Sequence, residues 1–145
     1  MGNSLYEQDF HAWAMQQAEL LRDRKFDCAD IDNIAEEIES MGRSEKRELV
    51  NRLDVLLMHL LKWQFQTALR GNSWRLTIKA QRYDLHRHLR DNPSLKSHIE
   101  RAMVDAYGHA KIEAGRETGL AAATFPETCP FSFDQAISDD FWPED

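Results

Sequence analysis

Four glutamates, Glu36, Glu37, Glu39 and Glu45, fall within the ten residues "EEIESMGRSE". Carboxylates at this density suit acid–base chemistry, metal ligation or a charged helix face. Acid–base partners must face one point. On a helix turning about 100° per residue, Glu36 lies opposite the Ile34–Ile38 stripe, and Glu39 turns well toward solvent. Glu37 sits at the stripe's edge, so the three do not converge. Glu36 and Glu39 therefore read as a solvated face. Glu37 reads as one half of a partly buried ion pair, with a role in a site as the alternative.

Basic residues answer them further along. Arg75, Lys79, Arg82, His86 and Arg90 make one stripe of a helix, beside the apolar stripe of Trp74, Ile78, Leu85 and Leu89. Like charges at i,i+4 repel, so acidic residues 27–48 are the expected cover, with Arg82 facing Glu37. A basic groove for phosphate, nucleic acid or an acidic partner is the functional alternative. Arg52, His59, Trp63, Gln66 and Arg70 form a polar and aromatic rim that suits a pocket edge. Metal chemistry finds no H-E-x-x-H and no E-x-x-H pair. His86 and His88 are two apart and point to different sides of a helix. The chain also has no P-loop, G-x-G-x-x-G or nucleophile elbow. Cys28 and Cys129 have no basic neighbour to activate a thiolate.

The elements that position these groups are helical throughout. Phe10, Trp13, Ala14, Gln17, Leu20 and Leu21 predict a first helix over about 5–23. Asp27 or Asp30 caps a second, whose stripe is Ile31, Ile34, Ile38 and Met41. Gly42 and Ser44 read as a stop and a new cap. One long helix through Gly42 is the alternative, but it would put Glu45 in line with the apolar stripe. The third helix, over about 45–69, carries Leu49, Val50, Leu53, Leu56, Leu57, Leu60 and Leu61. That arc is wide enough to require neighbours all round. Ser73 is the expected cap of a fourth helix ending at Asp91. Pro93 opens a fifth, which Gly119 ends. Residues 119–145 hold three of the four prolines and five large aromatic groups, with Ser132 and Gln135 forming a capping box. So many apolar groups should wrap onto the body.

The prediction is an all-α single domain, 1–145. About five helices surround the central 45–69 helix in a bundle over 1–118, and 119–145 form an irregular wrap with one short helix. Residues 1–116 carry 18 basic and 18 acidic side chains; residues 117–145 carry seven acids and no Lys or Arg. That balance disfavours nonspecific nucleic-acid binding. The first thirty residues lack a leader's apolar core, and no apolar run reaches membrane-spanning length. Two cysteines cannot make a disulfide framework, which suits a cytoplasmic setting.

The stretches "YEQDFHAWAMQQAELLR", "DIDNIAEEIESMGRSEKREL", "LLMHLLKWQFQ", "SWRLTIKAQR", "DNPSL" and "TGLAAATFPETCPF" follow in order. Together they resemble the bacterial DUF29 family from Tyr6 to Pro143. The resemblance implies an all-helical bacterial protein and no particular activity, cofactor or catalytic residue. Among the matching positions, Gly42, Ser44, Ser73, Asn92 and Pro93 are explained by capping and punctuation. Glu37, Arg43, His59, Lys62, Trp63, Trp74 and Arg82 are the candidate site or polar network. The leading expectation is a noncatalytic interaction or regulatory module with a protein partner or self-association, and with no membrane, cofactor or metal. A small-ligand binder or enzyme built on Glu37, Arg82, His59 and Trp63 is the alternative. Nucleic-acid binding by the basic stripe is the third.

Overall fold

Asp9 shows how local chemistry sets the first boundary. In the computed structural model, which describes residues 4–144, Asp9 leaves helical geometry and its side chain accepts the Ala12 N–H at 3.0 Å. The expected 5–23 helix is therefore two, α1 (Leu5–Gln8) and α2 (Phe10–Arg22). α3 (Ile31–Phe65), α4 (Asn72–Asp91), α5 (Ile99–Thr118) and α6 (Phe133–Ile137) follow. No strand occurs among the described residues.

The break suggested at Gly42 is absent: α3 is one helix of 35 residues. Arg43 bridges back to Glu36 at 2.9 Å and Glu39 at 3.7 Å. The feared clash of Glu45 with a buried stripe does not arise, because Ile31, Ile38 and Met41 are themselves exposed. Three other boundaries also shift. α3 gives way at Phe65 to a 3-10 turn, Thr67–Leu69. α4 starts at Asn72 after Gly71, so Ser73 lies inside it instead of capping it. Pro93 opens a 3-10 segment, Pro93–His98, and α5 begins only at Ile99.

The chain divides into two compact units, Met1–Ser44 and Glu45–Asp145. In the first, Trp13 and Gln17 are the buried residues of α2. Both hold Asp30: the Trp13 indole donates to its carboxylate at 3.0 Å, and the Gln17 amide oxygen accepts its backbone N–H at 2.7 Å. Asn33 adds a 2.8 Å bond to the same oxygen. The bonds from Asn33 and then Trp13 hold the Asp30 carboxyl below its usual range. Tyr6, Phe10 and Trp13 cluster beside this anchor with centroids 4.6–5.8 Å apart, Phe10 stacked on Trp13 and Tyr6 edge-on to it.

In the second unit α3 is the centre. Leu49, Leu53, Leu56, Leu57, Leu60 and Leu61 are all fully buried. α3 packs with α4 and α5. Each buried leucine contributes roughly 1.5–3 kcal/mol before conformational entropy is subtracted. Ala102, Ala106, Ala110 and Ala114 repeat every four residues along the buried face of α5, where small side chains permit close approach. Gly119 ends α5 in the left-handed conformation, φ 75°, its N–H returning to the Gly115 carbonyl at 2.9 Å. The C-terminal segment wraps as expected: Phe125, Phe131 and Ala136 join the core, and Ser132 with Gln135 makes the capping box of α6.

Candidate functional site

The acidic stretch separates as the helix geometry requires. Glu36 and Glu39 are exposed and paired with Arg43. Glu37 is half-buried and accepts a short hydrogen bond from the Tyr6 phenol. That bond, followed by burial and the Glu37 charge, raises the Tyr6 phenol above its usual value. The partner expected for Glu37 was an arginine of α4. A phenol from α1 occupies that role instead.

The remaining candidates lie in the second unit, around the C-terminal end of α3. The Lys62 ammonium is buried, 3.1 Å from the Glu117 carboxylate and 4.8 Å from the centre of the Trp74 ring. The Trp63 indole has Arg70 at 5.4 Å, Arg75 at 5.9 Å and the Trp142 ring at 4.8 Å. Arg82 has no exposed surface. It donates through Nε to the Ala136 carbonyl at 2.8 Å and through Nη2 to the Phe141 carbonyl at 2.6 Å. Its guanidinium lies 5.2 Å from the Trp142 ring centre. Its Nη1 is buried without a hydrogen-bond partner among the described residues. Burial pushes Arg82 down from its usual value, and the Asp139 charge opposes this.

His59 stands beside this group. Its Nδ1 lies 2.9 Å from the Val55 carbonyl, so Nδ1 carries the proton and Nε2 the lone pair. Burial lowers the imidazole's proton affinity, the Val55 bond opposes that, and the Lys62 charge lowers it further. Cations and indoles alternate here, but each named donor except Arg82 Nη1 meets a carboxylate, a carbonyl or a π face. The arrangement clamps residues 136–142 onto α4 and places no nucleophile beside a base.

The basic stripe of α4 is accordingly covered in part by the C-terminal segment. His86 Nε2 donates to the Ile137 carbonyl at 3.0 Å. Lys79, Tyr83, His86, Arg87, Arg90 and Asp139 line an open hollow of about 460 Å³. Within the second unit, Glu45 and Glu48 meet His88 of α4 instead of its arginines.

That contact is the group that sequence reasoning missed. Glu45, Glu48 and His88 bring one ligand atom each within 4.8 Å of one another. Arg52, expected on the His59–Trp63 rim, bridges Glu48 and Asp84 at 3.0 Å each. The expectation of no metal rested on missing local motifs, with ligands assembled in space from separate helices as the alternative. Two carboxylates three apart on α3 and a histidine forty residues later satisfy no such motif, so only their shared side in the folded chain reveals them.

The whole-chain comparison agrees with the helical architecture. The chain belongs to the family described as "Domain of unknown function DUF29", whose model matches residues 5–142. No curated protein and no solved structure matches it. No helix of the described residues is long and apolar enough to cross a membrane.

Proposed function

We propose that the protein is a noncatalytic interaction module of a bacterial cytoplasm, and that its N-terminal unit docks a protein partner. The observation that carries this reading is an exposed apolar stripe on an acidic helix. Ile31, Ile38 and Met41, on one side of α3, are 50%, 59% and 62% exposed. Phe10, Met15 and Phe26 of the same unit are also exposed. Residues 1–44 hold ten acidic and four basic side chains, a net charge of −6. Large exposed apolar groups gathered on one helix side mark an interaction site. Its complement is a helix or ridge with an apolar centre and a lysine- or arginine-rich border. The cytoplasmic setting is supported by two unbridged thiols, Cys28 and Cys129.

The test is affinity capture from the native host with wild type and with the double variant Ile38→Glu, Met41→Glu, each checked for helicity by circular dichroism. The expected result is a stoichiometric basic protein that binds wild type and is lost from the variant. Recovery of the chain alone, of nucleic acid, or of the same proteins with both forms would overturn the reading.

A second reading has its own observation. An apolar hollow of about 510 Å³ lies between α5 and the C-terminal segment, with Met103, Tyr107, Cys129, Phe131 and Phe133 in its wall. That volume falls within the range of small-ligand sites. Fluorescent apolar probes that bind wild type but not Met103→Glu would favour it.

A further inference from the structure

His88 poses a hydrogen-bonding problem that its surroundings do not solve with one proton. The ring is 7% exposed. Its Nε2 lies 2.8 Å from the Glu45 backbone carbonyl. Its Nδ1 lies 3.0 Å from Glu48 Oε2 and 3.7 Å from Glu45 Oε2. Every one of these oxygens is an acceptor. A neutral imidazole has a single N–H. When Nε2 donates it to the carbonyl, the Nδ1 lone pair points at two carboxylates.

We infer that Glu45, Glu48 and His88 bind one divalent first-row transition-metal ion, through His88 Nδ1 and one oxygen of each carboxylate. The convergence of a lone pair and two anionic oxygens is what such a cation requires. The Nε2–H bond to a backbone carbonyl is the outer support usual for metal-bound histidines. Ligand bonds of about 2.0–2.2 Å place ligand atoms up to roughly twice that apart, and the three atoms here lie within 4.8 Å. Glu45 and Glu48 are one turn apart on α3 and 49% and 41% exposed, so their torsions can close the remaining distance onto a fixed His88.

Arg52 sets the orientation. Its Nε and Nη2 donate to Glu48 Oε1 at 3.2 and 3.0 Å, which leaves Oε2 turned toward His88. Its Nη1 donates to Asp84 at 3.0 Å. The hollow around the group is about 480 Å³ and is lined by the carboxylates of Glu45, Glu48, Asp84 and Asp91 and by the guanidiniums of Arg52 and Arg87. With His88 neutral those six charges leave −2, which a divalent cation balances. An imidazole donor selects Zn²⁺ and its neighbours over Ca²⁺ and Mg²⁺, which prefer oxygen alone. Three protein ligands leave a coordination position open toward the hollow.

The alternative occupant of the same geometry is a second proton, which would make an imidazolium held by two carboxylates. Zn²⁺ titration of the chelator-treated full chain by calorimetry separates the two, with Glu45→Gln, Glu48→Gln and His88→Gln in parallel. The expected result is one equivalent of Zn²⁺ per chain, weakened at least about tenfold in each variant. Co²⁺ in its place should give a visible ligand-field spectrum that the variants lose. Glu45 and Glu48 are partly exposed, so their variants report even where His88→Gln fails to fold. Affinity weaker than about 100 μM, binding that all three variants retain, or two ring N–H protons on His88 by nitrogen NMR with Zn²⁺ present would overturn the assignment.

Discussion

Arg82→Met tests whether one buried cation holds the C-terminal segment in place. The substitution removes two charge-assisted donors, one to the Ala136 carbonyl and one to the Phe141 carbonyl. Each such bond contributes about 1.5–3 kcal/mol, and each abandoned buried carbonyl costs about 1–3 kcal/mol. The cation–π contact with Trp142 adds about 1–2 kcal/mol. Against this, methionine fills much of the space, removes the orphaned Nη1 and avoids the cost of desolvating a charge. The net expectation is a loss of about 3–5 kcal/mol, or a fall in Tm of roughly 10–20 °C for a unit of this size. Urea unfolding followed by tryptophan emission measures it, and hydrogen exchange localises it to residues 133–142. Arg82→Lys keeps the charge, but a single ammonium cannot reproduce the guanidinium's two divergent bonds, so its loss should be intermediate. A change below about 1 kcal/mol in Arg82→Met, with exchange at 133–142 unaltered, would show that desolvation cancels the bonds and that Arg82 is no clamp.

Burial lowers the His59 imidazole in the folded state, so below its ordinary value of about 6.5 the unfolded chain binds the extra proton first. Stability should be intact above that value and lost as pH falls toward the depressed folded value. His59→Gln should flatten the difference between urea midpoints measured at about pH 7.5 and about pH 5, and an unchanged pH slope would count against a neutral buried ring. Glu37→Gln should bring the Tyr6 phenol down toward its ordinary value, because the carboxylate that favours the protonated phenol is gone. Alkaline tyrosine absorbance of wild type and variant checks this, and superimposable curves would refute the Tyr6–Glu37 bond. Gly42→Ala should stabilise by up to about 1 kcal/mol, since an added Cβ meets nothing within 4 Å. Destabilisation would mean that the helix is broken there after all.

What the sequence made legible was mostly local or periodic. The leucine arc from Leu49 to Leu61 demanded burial all round, and the Ser132–Gln135 box and the Gly119 stop act within a few residues of themselves. The aromatic load of residues 125–142 required a wrap because such groups cannot stay solvated. Errors arose where a weak local penalty met a distributed gain. Glycine inside a helix costs only about 1 kcal/mol, and an uninterrupted backbone ladder with Arg43 reaching Glu36 and Glu39 offsets it. Lys62 and Arg82 read as members of a polar network, but their partners could not be named because the indole, carboxylate and carbonyl come from far along the chain. His88 meets Glu45 and Glu48 across forty residues, and no spacing rule records that meeting.

The apolar stripe of the N-terminal unit can be weighed against what a partner requires. Burying an apolar side chain completely is worth about 1.5–3 kcal/mol. Ile31, Ile38, Met41, Phe10, Met15 and Phe26 are already about half covered, so together they offer roughly 5–9 kcal/mol at most. Association alone removes about 4–15 kcal/mol of translational and rotational freedom. The stripe's own side chains therefore leave most of the ~8 kcal/mol net that a micromolar partner needs to be supplied by the partner's surface. Apolar burial on the partner's side and charge attraction are its sources. Asp32, Glu36 and Glu39 sit on the same helix and are solvent-facing, Glu36 opposite the stripe and both glutamates paired with Arg43. A partner with lysines and arginines around an apolar ridge gains attraction from the unit's net charge of −6. The net charge of −6 on residues 1–44 thus favours a basic protein surface over an uncharged small hydrophobe as the partner proposed for the N-terminal unit.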